Sequence, residues 1–325
     1  MQPMTYARPD NATEAVEMLS QPGAAVLAGG TTLVDLMRCK IVRPTTLVDI
    51  SRLQDLRAIE DSDGSIAIGA CATMTEVARN RLVGENFPAI REALLQAASA
   101  QIRNQATVGG NLLQGPRCVF YRDHRAPCSR RDHRQPCSAR MASTITPPLV
   151  GAHQKCMATY PGDLAVALAA YEATVEVQSQ SGARQVGVTD LLRPPDPADR
   201  PALEAGALIT RIFVPEFSSF SAFVKRRQRA SFAFASASAA AALEVADHTV
   251  VSARIAIGAQ STHPHRMTGA EQVLIGKPLQ RSSFEAAAAA VVAGLNGPDH
   301  AVAWCRDTVT QALTEAAARA AHAVR

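Results

Sequence analysis

Four cysteines lie close together in the middle of the chain and could bind a metal. Cys118, Cys128, Cys137 and Cys156 fall within 39 residues, and nine, eight and eighteen residues separate successive members. Clustered thiols serve as disulfides, zinc ligands or iron–sulfur ligands. Disulfides are the weakest alternative, because a chain of 325 residues with 47% hydrophobic residues can bury a core without them, and its N-terminus does not resemble a signal peptide. The spacing is wider than in zinc knuckles or ferredoxins, so four-thiolate metal binding and inert buried cysteines both stay open at this point.

The segment around these cysteines is strongly basic. Between Arg117 and Lys155 eight cations oppose two aspartates, a net charge of +6, whereas the whole chain carries +4 and the remainder therefore −2. A basic patch raises the question of nucleic-acid binding, but only Phe120 and Tyr121 could stack on bases and no binding motif is present, so no nucleic-acid partner is expected. Cations would favour a negatively charged, thiolate-bound iron–sulfur cluster, and a solvated basic loop is the plain alternative.

Two glycine-rich loops could bind phosphate groups. The first, at 29–32, follows a short buried strand predicted at 24–28 and precedes a helix predicted from Leu33. Free backbone N–H groups and a helix dipole attract an anion there, although a tight turn without a ligand has the same pattern. The second, Gly109-Gly110, stands between β-forming residues, and Asn111 beside it offers an amide. Loops 80 residues apart can bind a dinucleotide if the fold brings them together.

Turn and capping signals predict the elements that position these loops. A helix starts after Asn11, a strand follows Pro44, and a hairpin spans 58–70 with a turn at Asp63-Gly64. Thr73 is predicted to cap a helix, and a second, apolar helix is expected at about 88–100. Asp163 begins a predicted amphipathic helix, where its carboxylate caps the helix or holds a ribose hydroxyl.

The later part of the chain reads as further α and β structure. A proline-rich surface loop at 193–201 leads to a strand, and residues from about 221 onward suggest a separate domain. That domain opens with a strand, continues into an alanine-rich segment that fits strand or helix, and adds a strand at 249–259. Three helices are expected near 267–274, 282–293 and 301–323. No apolar run reaches membrane-spanning length, so membrane insertion is not expected.

Several of these motifs together resemble one known family. AGGTTLVDLM, RPTTLVDI, IRNQATVGGNLLQ, YPGDLAVALAA, FVKRRQRASFAFASASAA and IGAQSTHPHR…LIGKPL match, in order and spacing, the FAD-binding medium subunit of molybdenum hydroxylases, which include carbon monoxide dehydrogenase and xanthine dehydrogenase. The cysteine segment resembles the subgroup that carries a [4Fe-4S] cluster, most closely the FAD subunit of periplasmic aldehyde oxidoreductases. Segment 141–151, MASTITPPLVG, departs from the pattern of that subgroup.

The resemblance implies an α+β fold: a two-subdomain FAD-binding domain of the vanillyl-alcohol-oxidase-like (PCMH) type with a cysteine-rich insertion, plus a smaller C-terminal α+β domain. The limits we predict are 1–54 and 55–220 for the two subdomains and 221–325 for the C-terminal domain. We use the name cysteine-rich insertion for residues 115–157. Cys39, Cys71 and Cys305 fall outside it and are interpreted as ordinary buried thiols.

The resemblance also implies a set of cofactor contacts. Residues around the first loop would wrap the FAD pyrophosphate: Leu27, Ala28, Gly29, Gly30, Thr31, Thr32 and Leu33. Around the second loop, Thr107, Gly109, Gly110 and Asn111 would contact the cofactor, and Leu113 would pack beside the isoalloxazine. Asp163 would face the adenosine half, Ile209 the flavin or its adenosine, and Lys225 the flavin ring, although Lys225 alone would be interpreted as a surface lysine. Cys118, Cys128, Cys137 and Cys156 would bind the [4Fe-4S] cluster.

The implied function is electron transfer in a molybdenum-dependent aldehyde oxidoreductase. The expected partners are a molybdenum-cofactor large subunit, a [2Fe-2S] small subunit and an external electron acceptor, with FAD and a [4Fe-4S] cluster in this chain. The alternatives are a stand-alone FAD oxidoreductase with structural zinc or free cysteines, and a basic nucleic-acid-binding module. The compartment is left open between the cytoplasm and a periplasm reached by export with a signal-bearing partner.

Overall fold

The described part of the chain contains three sheets with helices packed between and around them. A computed structural model describes residues 3–62, 65–142, 147–151, 155–194, 203–217 and 220–323. The hairpin turn predicted at Asp63-Gly64 and most of the loop predicted at 193–201 lie outside the described residues, as do residues 143–146 of the divergent segment. No helix in the described ranges is both long and apolar enough to cross a membrane.

The first sheet is parallel, as expected for strands joined through helices. It has the order β1-β3-β2, from strands β1 (Thr5–Ala7), β2 (Ala24–Leu27) and β3 (Thr46–Asp49), with helices α1 (Ala12–Leu19) and α2 (Leu33–Arg38) in the connections. The Asn11 side chain accepts the Glu14 N–H and caps α1, so the predicted helix start is confirmed. The first glycine-rich loop lies between β2 and α2, as the sequence predicted.

The second sheet is antiparallel, with the order β4-β5-β8-β6-β7. Its strands are β4 (Ile59–Ser62), β5 (Ser65–Gly69), β6 (Thr174–Ser179), β7 (Gly182–Gly187) and β8 (Leu208–Pro215). The helices between β5 and β6 are α3 (Met74–Arg79), α4 (Arg81–Asn86), α5 (Pro88–Gln96), α6 (Ala100–Gln105), α7 (Val108–Leu112), α8 (Val119–Arg122), α9 (Ser138–Met141) and α10 (Asp163–Ala170), and α11 (Val188–Leu192) follows β7.

Two helix predictions in this part need correction. The apolar helix expected at 88–100 ends at Gln96, and Ser99 caps the separate helix α6. The amphipathic helix expected from Asp163 has no polar face: all eight residues of α10 are buried, and the chain continues as strand β6. Helix α10 packs among α5, β10 and β11, so every side of it meets protein.

The third sheet is antiparallel, with the order β12-β11-β10-β9. Its strands are β9 (Phe220–Arg226), β10 (Ala237–Ala246), β11 (Thr249–Gly258) and β12 (His265–Arg266), and helices α12 (Thr268–Leu274), α13 (Arg281–Val292) and α14 (Asp299–Ala323) follow. The three C-terminal helices lie where the sequence predicted them.

The alanine-rich segment is strand β10, and its burial explains its composition. Alternate residues point to opposite faces: Ala240 and Ala242 join one core with α5 and α10, whereas Ala239 and Ala241 join the core formed with α13 and α14. A sheet covered by helices on both faces favours small residues that let the layers approach closely. The sequence alone was compatible with either a strand or a helix here, and packing between two helical layers favours the strand.

Candidate functional site: an FAD cleft and a cysteine-rich insertion

The two glycine-rich loops meet, as a dinucleotide site requires. A Cβ atom added at Gly29 would lie 2.0 Å from the carbonyl oxygen of Gln105, so the first loop touches the backbone that leads into the second. Gly30 has φ +69°, a conformation that favours glycine and turns the chain from β2 into α2. The backbone geometry therefore explains both glycines of the first loop.

The second loop differs from its prediction. Gly109 and Gly110 belong to helix α7, whose N-cap Thr107 accepts the Gly110 N–H, and not to a loop. The Gly109 N–H bonds to the Ala70 carbonyl oxygen, and a Cβ atom at Gly109 would lie 2.8 Å from Ala70 Cβ. Glycine at 109 is thus required by close packing on the residue that follows β5.

Two adjoining cavities open along these loops. The first cavity, of about 240 Å³, lies between the first loop, α7 and β8, and is mostly apolar. Its walls include Ala28, Gly29, Leu33, Thr107, Gly109, Leu113 and Ile209. The second cavity, also of about 240 Å³, includes Asn111, Arg117, Asp163, Lys225, Phe232 and Phe234. Thr31, Thr32 and Gly110 line both cavities, so the two form one elongated cleft with its waist at the glycine-rich loops.

The cleft gathers fourteen of the fifteen residues predicted to bind the cofactor. The exception is Leu27, which lines neither cavity and whose carbonyl oxygen accepts the Ile50 N–H. Leu113 and Lys225, both predicted beside the flavin ring, line different cavities. Leu113 and Lys225 therefore lie in different halves of the cleft.

Lys225 and Asp163 form a buried ion pair in the wall of the second cavity. Their Nζ and Oδ2 atoms are 2.6 Å apart, the side chains are 1% and 4% exposed, and Lys225 also donates to the Gln96 carbonyl oxygen at 3.3 Å. Burial raises the pKa of the Asp163 carboxyl group, and the Lys225 ammonium opposes that shift. The interpretation of Lys225 as a surface lysine is wrong. The predicted roles at opposite ends of the cofactor are also incompatible, because the two side chains touch.

Asn111, in the wall of the second cavity, has an unpaired side-chain oxygen. Among the buried side-chain nitrogen and oxygen atoms of the described ranges, Asn111 Oδ1 is the one without a hydrogen-bond partner. Its Nδ2 atom donates weakly to Met74 Sδ at 3.5 Å. Leaving such an oxygen unpaired costs about 1–3 kcal/mol, so Asn111 is a candidate acceptor for an N–H or O–H group of a ligand.

The residues at the mouth of the second cavity were not predicted. Phe232 and Phe234, in the β9–β10 connection, are 61% and 48% exposed, and the Arg117 guanidinium lies 4.4 Å from the Phe234 ring centroid. The sequence contains two signals for these residues. Phe232 and Phe234 follow Lys225 closely in a chain with only 4% aromatic residues, and Arg117 directly precedes Cys118.

The four cysteine-bearing loops of the insertion are tied to one another by polar contacts. The Ser129 hydroxyl donates to the Lys155 carbonyl oxygen at 2.5 Å, which joins the neighbours of Cys128 and Cys156. The Ser138 hydroxyl donates to the Pro127 carbonyl oxygen at 2.7 Å, which joins the neighbours of Cys137 and Cys128. Cys128 and Cys137 lie close enough to Cys156 that their charges help to raise the pKa of its thiol, after the larger effect of burial.

Cys118 is joined to this group through Arg131. The Arg131 guanidinium donates to the carbonyl oxygens of Phe120 and Tyr121 in α8, which follows Cys118 directly, and to that of Ala126. No group of three His, Cys, Asp or Glu side chains in the described residues is arranged to hold a single metal ion. Thiolates of a multi-iron cluster bind separate iron atoms, so they stand further apart than the ligands of one ion.

Two of the three cysteines outside the insertion are buried, as predicted. Cys71 and Cys305 are buried, and burial raises the pKa of each thiol to about 12, which keeps both protonated and unreactive. Cys39 is only partly buried, because it caps the end of α2, where Arg122 approaches its sulfur at 3.9 Å. Its predicted full burial is wrong.

Comparisons with known proteins decide the family. Residues 2–217 match the family described as "FAD binding domain in molybdopterin dehydrogenase", and residues 222–321 match the "CO dehydrogenase flavoprotein C-terminal domain". This chain is an FAD-binding medium subunit of the molybdenum hydroxylase family. It is accordingly an oxidoreductase subunit with an FAD-binding domain, and the predicted α+β fold is confirmed. The limits predicted for the domains stay predictions.

Individual relatives match over most of their length. The chain is 36% identical over 280 residues to the Escherichia coli aldehyde oxidoreductase FAD-binding subunit PaoB, covering 84% of this chain and 86% of that one. It is 28% identical to the nicotinate dehydrogenase FAD-subunit of Eubacterium barkeri, covering 88% and 84%. The fold is similar to quinoline 2-oxidoreductase from Pseudomonas putida 86, with a TM-score of 0.78, 24% identity and 98% coverage of both chains.

Proposed function

We propose that this chain is the FAD and [4Fe-4S] subunit of a molybdenum-dependent aldehyde oxidoreductase and passes electrons to an external acceptor. The observation that carries the proposal is the elongated cleft whose waist is formed by the two glycine-rich loops. The similarity to PaoB supports the aldehyde, since that relative is named as an aldehyde oxidoreductase subunit. FAD, when bound, exchanges one or two electrons and so suits a junction between one-electron centres and a two-electron reaction.

The residues of the cleft fit FAD in one orientation. The waist accepts the pyrophosphate, where the N-terminus of α2 presents backbone N–H groups beside Thr31 and Thr32. The isoalloxazine belongs in the second cavity, because Asn111 Oδ1 lacks a donor there and Lys225 provides a cation close to where reduction adds negative charge. The adenosine then occupies the first, more apolar cavity, beside Leu113 and Ile209. In this orientation Asp163 faces the flavin half and Leu113 the adenosine half.

The cluster is assigned to the cysteine-rich insertion. Cys118, Cys128, Cys137 and Cys156 are the proposed ligands, because the contacts of Ser129, Ser138 and Arg131 draw their loops together. Arg130 acts on both Tyr121 and Cys156 electrostatically, so a cation stands beside the thiol group. Positive charge stabilises thiolates and the negative charge of a cluster.

The proposed partners are a molybdenum-cofactor large subunit and a [2Fe-2S] small subunit. Oxidising an aldehyde with water to a carboxylic acid releases two electrons and two protons, and a molybdenum subunit would carry out this step. The chain's own residues would bind the flavin and hold its ring in the second cavity.

Aldehyde reduction of the flavin tests this assignment. The chain is co-expressed with its two partner subunits, mixed anaerobically with an aldehyde, and followed by the visible absorbance of oxidised flavin. We expect rapid bleaching in the complex and none in the isolated, FAD-loaded chain. Aldehyde turnover by the isolated chain, free of molybdenum, would favour the stand-alone flavoenzyme instead.

A further inference from the structure

The cysteine-rich insertion contacts the FAD cleft at two separate places. The first contact is at the mouth of the second cavity, where Arg117 stacks on Phe234 with 4.4 Å between guanidinium carbon and ring centroid. Phe234 belongs to the connection between β9 and β10, and Arg117 directly precedes the proposed ligand Cys118. This contact therefore links the start of the insertion to a loop that forms a wall of the cavity.

The second contact is with helix α2, which follows the first glycine-rich loop. The Arg122 guanidinium forms an ion pair with Asp35, and it also approaches Cys39 Sγ at 3.9 Å. Asp35 lies in the first turn of α2, one turn after Thr31 and Thr32, which line both cavities. Arg122 is the last residue of α8, so four residues after Cys118 the insertion is anchored to the glycine-rich loop helix.

Inside the insertion, the Arg122 contact is tied to the loop that carries Cys128, and Arg117 is joined to it only through the adjacent residue Cys118. Arg131 holds the carbonyl oxygens of Phe120 and Tyr121, just before Arg122, and thereby connects α8 to the Cys128 loop. Of the described hydrophobic residues in the insertion, only Cys128, Ala139 and Leu149 are buried. So few buried residues cannot hold the insertion in one conformation. The conformation of the insertion therefore depends on polar contacts and on the group that the four thiols bind.

We infer that the insertion is a clamp across the FAD cleft, in which Arg117 and Arg122 are positioning residues that make FAD affinity depend on occupancy of the cysteine site. Arg117 holds the β9–β10 connection and Arg122 holds α2, so a fixed insertion keeps both walls in place. When the cysteine loops lose their metal, Arg117 is released from Phe234 and the mouth opens. The inference rests on the proposed cluster and adds a role for it that involves no electron transfer.

FAD titration of four variants tests the clamp. FAD affinity is measured by flavin fluorescence for the wild type, Arg117→Ala, Cys128→Ser and the double variant, with iron content and thermal midpoint recorded for each. A guanidinium–aromatic contact contributes about 0.5–2 kcal/mol, so Arg117→Ala should weaken FAD binding roughly tenfold while iron content is retained. Cys128→Ser should lose iron and weaken FAD binding at least as much.

The double variant distinguishes a clamp from a local contact. If Arg117 acts through the ordered insertion, adding Arg117→Ala to Cys128→Ser should weaken FAD binding by less than about twofold more. Arg125→Ala is the matched control: Arg125 lies in the same insertion, is 79% exposed and forms an ion pair with Asp123 in the part of the chain that the structure describes, so FAD affinity should not change. If Cys128→Ser fails to fold, anaerobic removal of iron from the wild type by a chelator replaces it.

Different results of this experiment would contradict the clamp and the cluster assignment. Iron bound by the wild type together with unchanged FAD affinity in Arg117→Ala overturns the clamp and leaves the cluster assignment standing. Full additivity of the two substitutions likewise overturns it. Absence of iron from the anaerobic wild type instead overturns the cluster assignment, and with it the dependence of FAD affinity on metal.

Discussion

The FAD cleft and the cysteine-rich insertion lie side by side, yet they are held together by different forces. The cleft is bounded by close backbone packing, such as Gly29 against Gln105, and by cores of buried aliphatic residues. The insertion has two helices of four residues, α8 and α9, and depends on guanidinium and hydroxyl contacts to carbonyl oxygens.

The two regions therefore differ in the source of their stability. Apolar burial contributes roughly 25 cal/mol per Å² and supports the cleft whether or not a cofactor is bound. The insertion lacks that support, so its order is coupled to binding at the cysteines, as in other small metal-binding segments. Changes in the cleft should therefore alter folding stability, whereas changes in the insertion should mainly alter cofactor binding.

Breaking the buried ion pair in the cleft should have the largest effect on stability. Lys225→Met leaves the Asp163 carboxylate buried without its partner, which costs about 3–5 kcal/mol of unfolding free energy. Chemical denaturation measures this loss. The double variant Lys225→Met with Asp163→Leu should recover most of the stability, and failure to recover any would show that the side chains matter for packing alone.

Crowding the contact between the two loops should be next in size. Gly29→Ala places a Cβ atom 2.0 Å from the Gln105 carbonyl oxygen, and backbone cannot move aside cheaply, so we expect a loss of about 3 kcal/mol. Gly269→Ala is the matched control, because nothing lies within 4 Å of its added Cβ atom, and it should be neutral or slightly stabilising. Equal effects at both positions would argue against close contact of the loops.

A buried histidine near the end of the insertion should give a smaller, pH-dependent effect. Burial lowers the pKa of His263 to about 4 from its ordinary 6.5, and the nearby His265 and Arg193 add to the shift. Because the unfolded chain then binds more protons, the stability contribution is complete above pH 6.5 and is lost as the pH falls toward 4. His263→Gln should flatten the stability profile in this window relative to the wild type. If the unfolding free energy of His263→Gln still falls with pH as steeply as that of the wild type, other groups cause the pH dependence.

The smallest effect is expected for an exposed ion pair of the insertion. Arg134 pairs with Asp132 at 3.1 Å, but its side chain is 79% exposed and the pair is screened by water, so Arg134→Ala should leave the unfolding free energy almost unchanged. Chemical denaturation and FAD titration together check this. A change as large as that of Gly29→Ala would remove the contrast between the two regions.

Much of the cleft was predictable because its signals are local. The side chain of Asn11 and the capping box of Thr73 fix helix starts, and the turn at 29–32 needs residues that the sequence displays directly. Twelve of the fifteen expected contact residues lie within two short motifs or next to them, but the Asp163–Lys225 pair joins positions 62 residues apart. No local signal reports this contact, so the sequence assigned two residues that touch to opposite halves of the cofactor.

The remaining misses arise where packing overrides local preference. Helix α10 is apolar on all sides since it lies between layers. For β10 the sequence left strand and helix open, because alanine favours helices, and burial between helices decides for the strand. Gly109 and Gly110 join a helix because Thr107 caps it. In the insertion, charge and cysteine spacing indicated a site, but the ties made by Ser129, Ser138 and Arg131 need the folded chain to be seen.

The most direct test of two cofactor sites in one chain is the flavin and metal content of the protein after anaerobic purification. We predict one FAD per chain, released into the supernatant by acid because no His or Cys stands in the matched loops, and about four iron atoms with matching sulfide. Flavin that stays with the acid precipitate would contradict non-covalent binding. Zinc, or no metal, in protein that retains FAD would contradict the cluster and leave the cysteine-rich insertion without its proposed ligand.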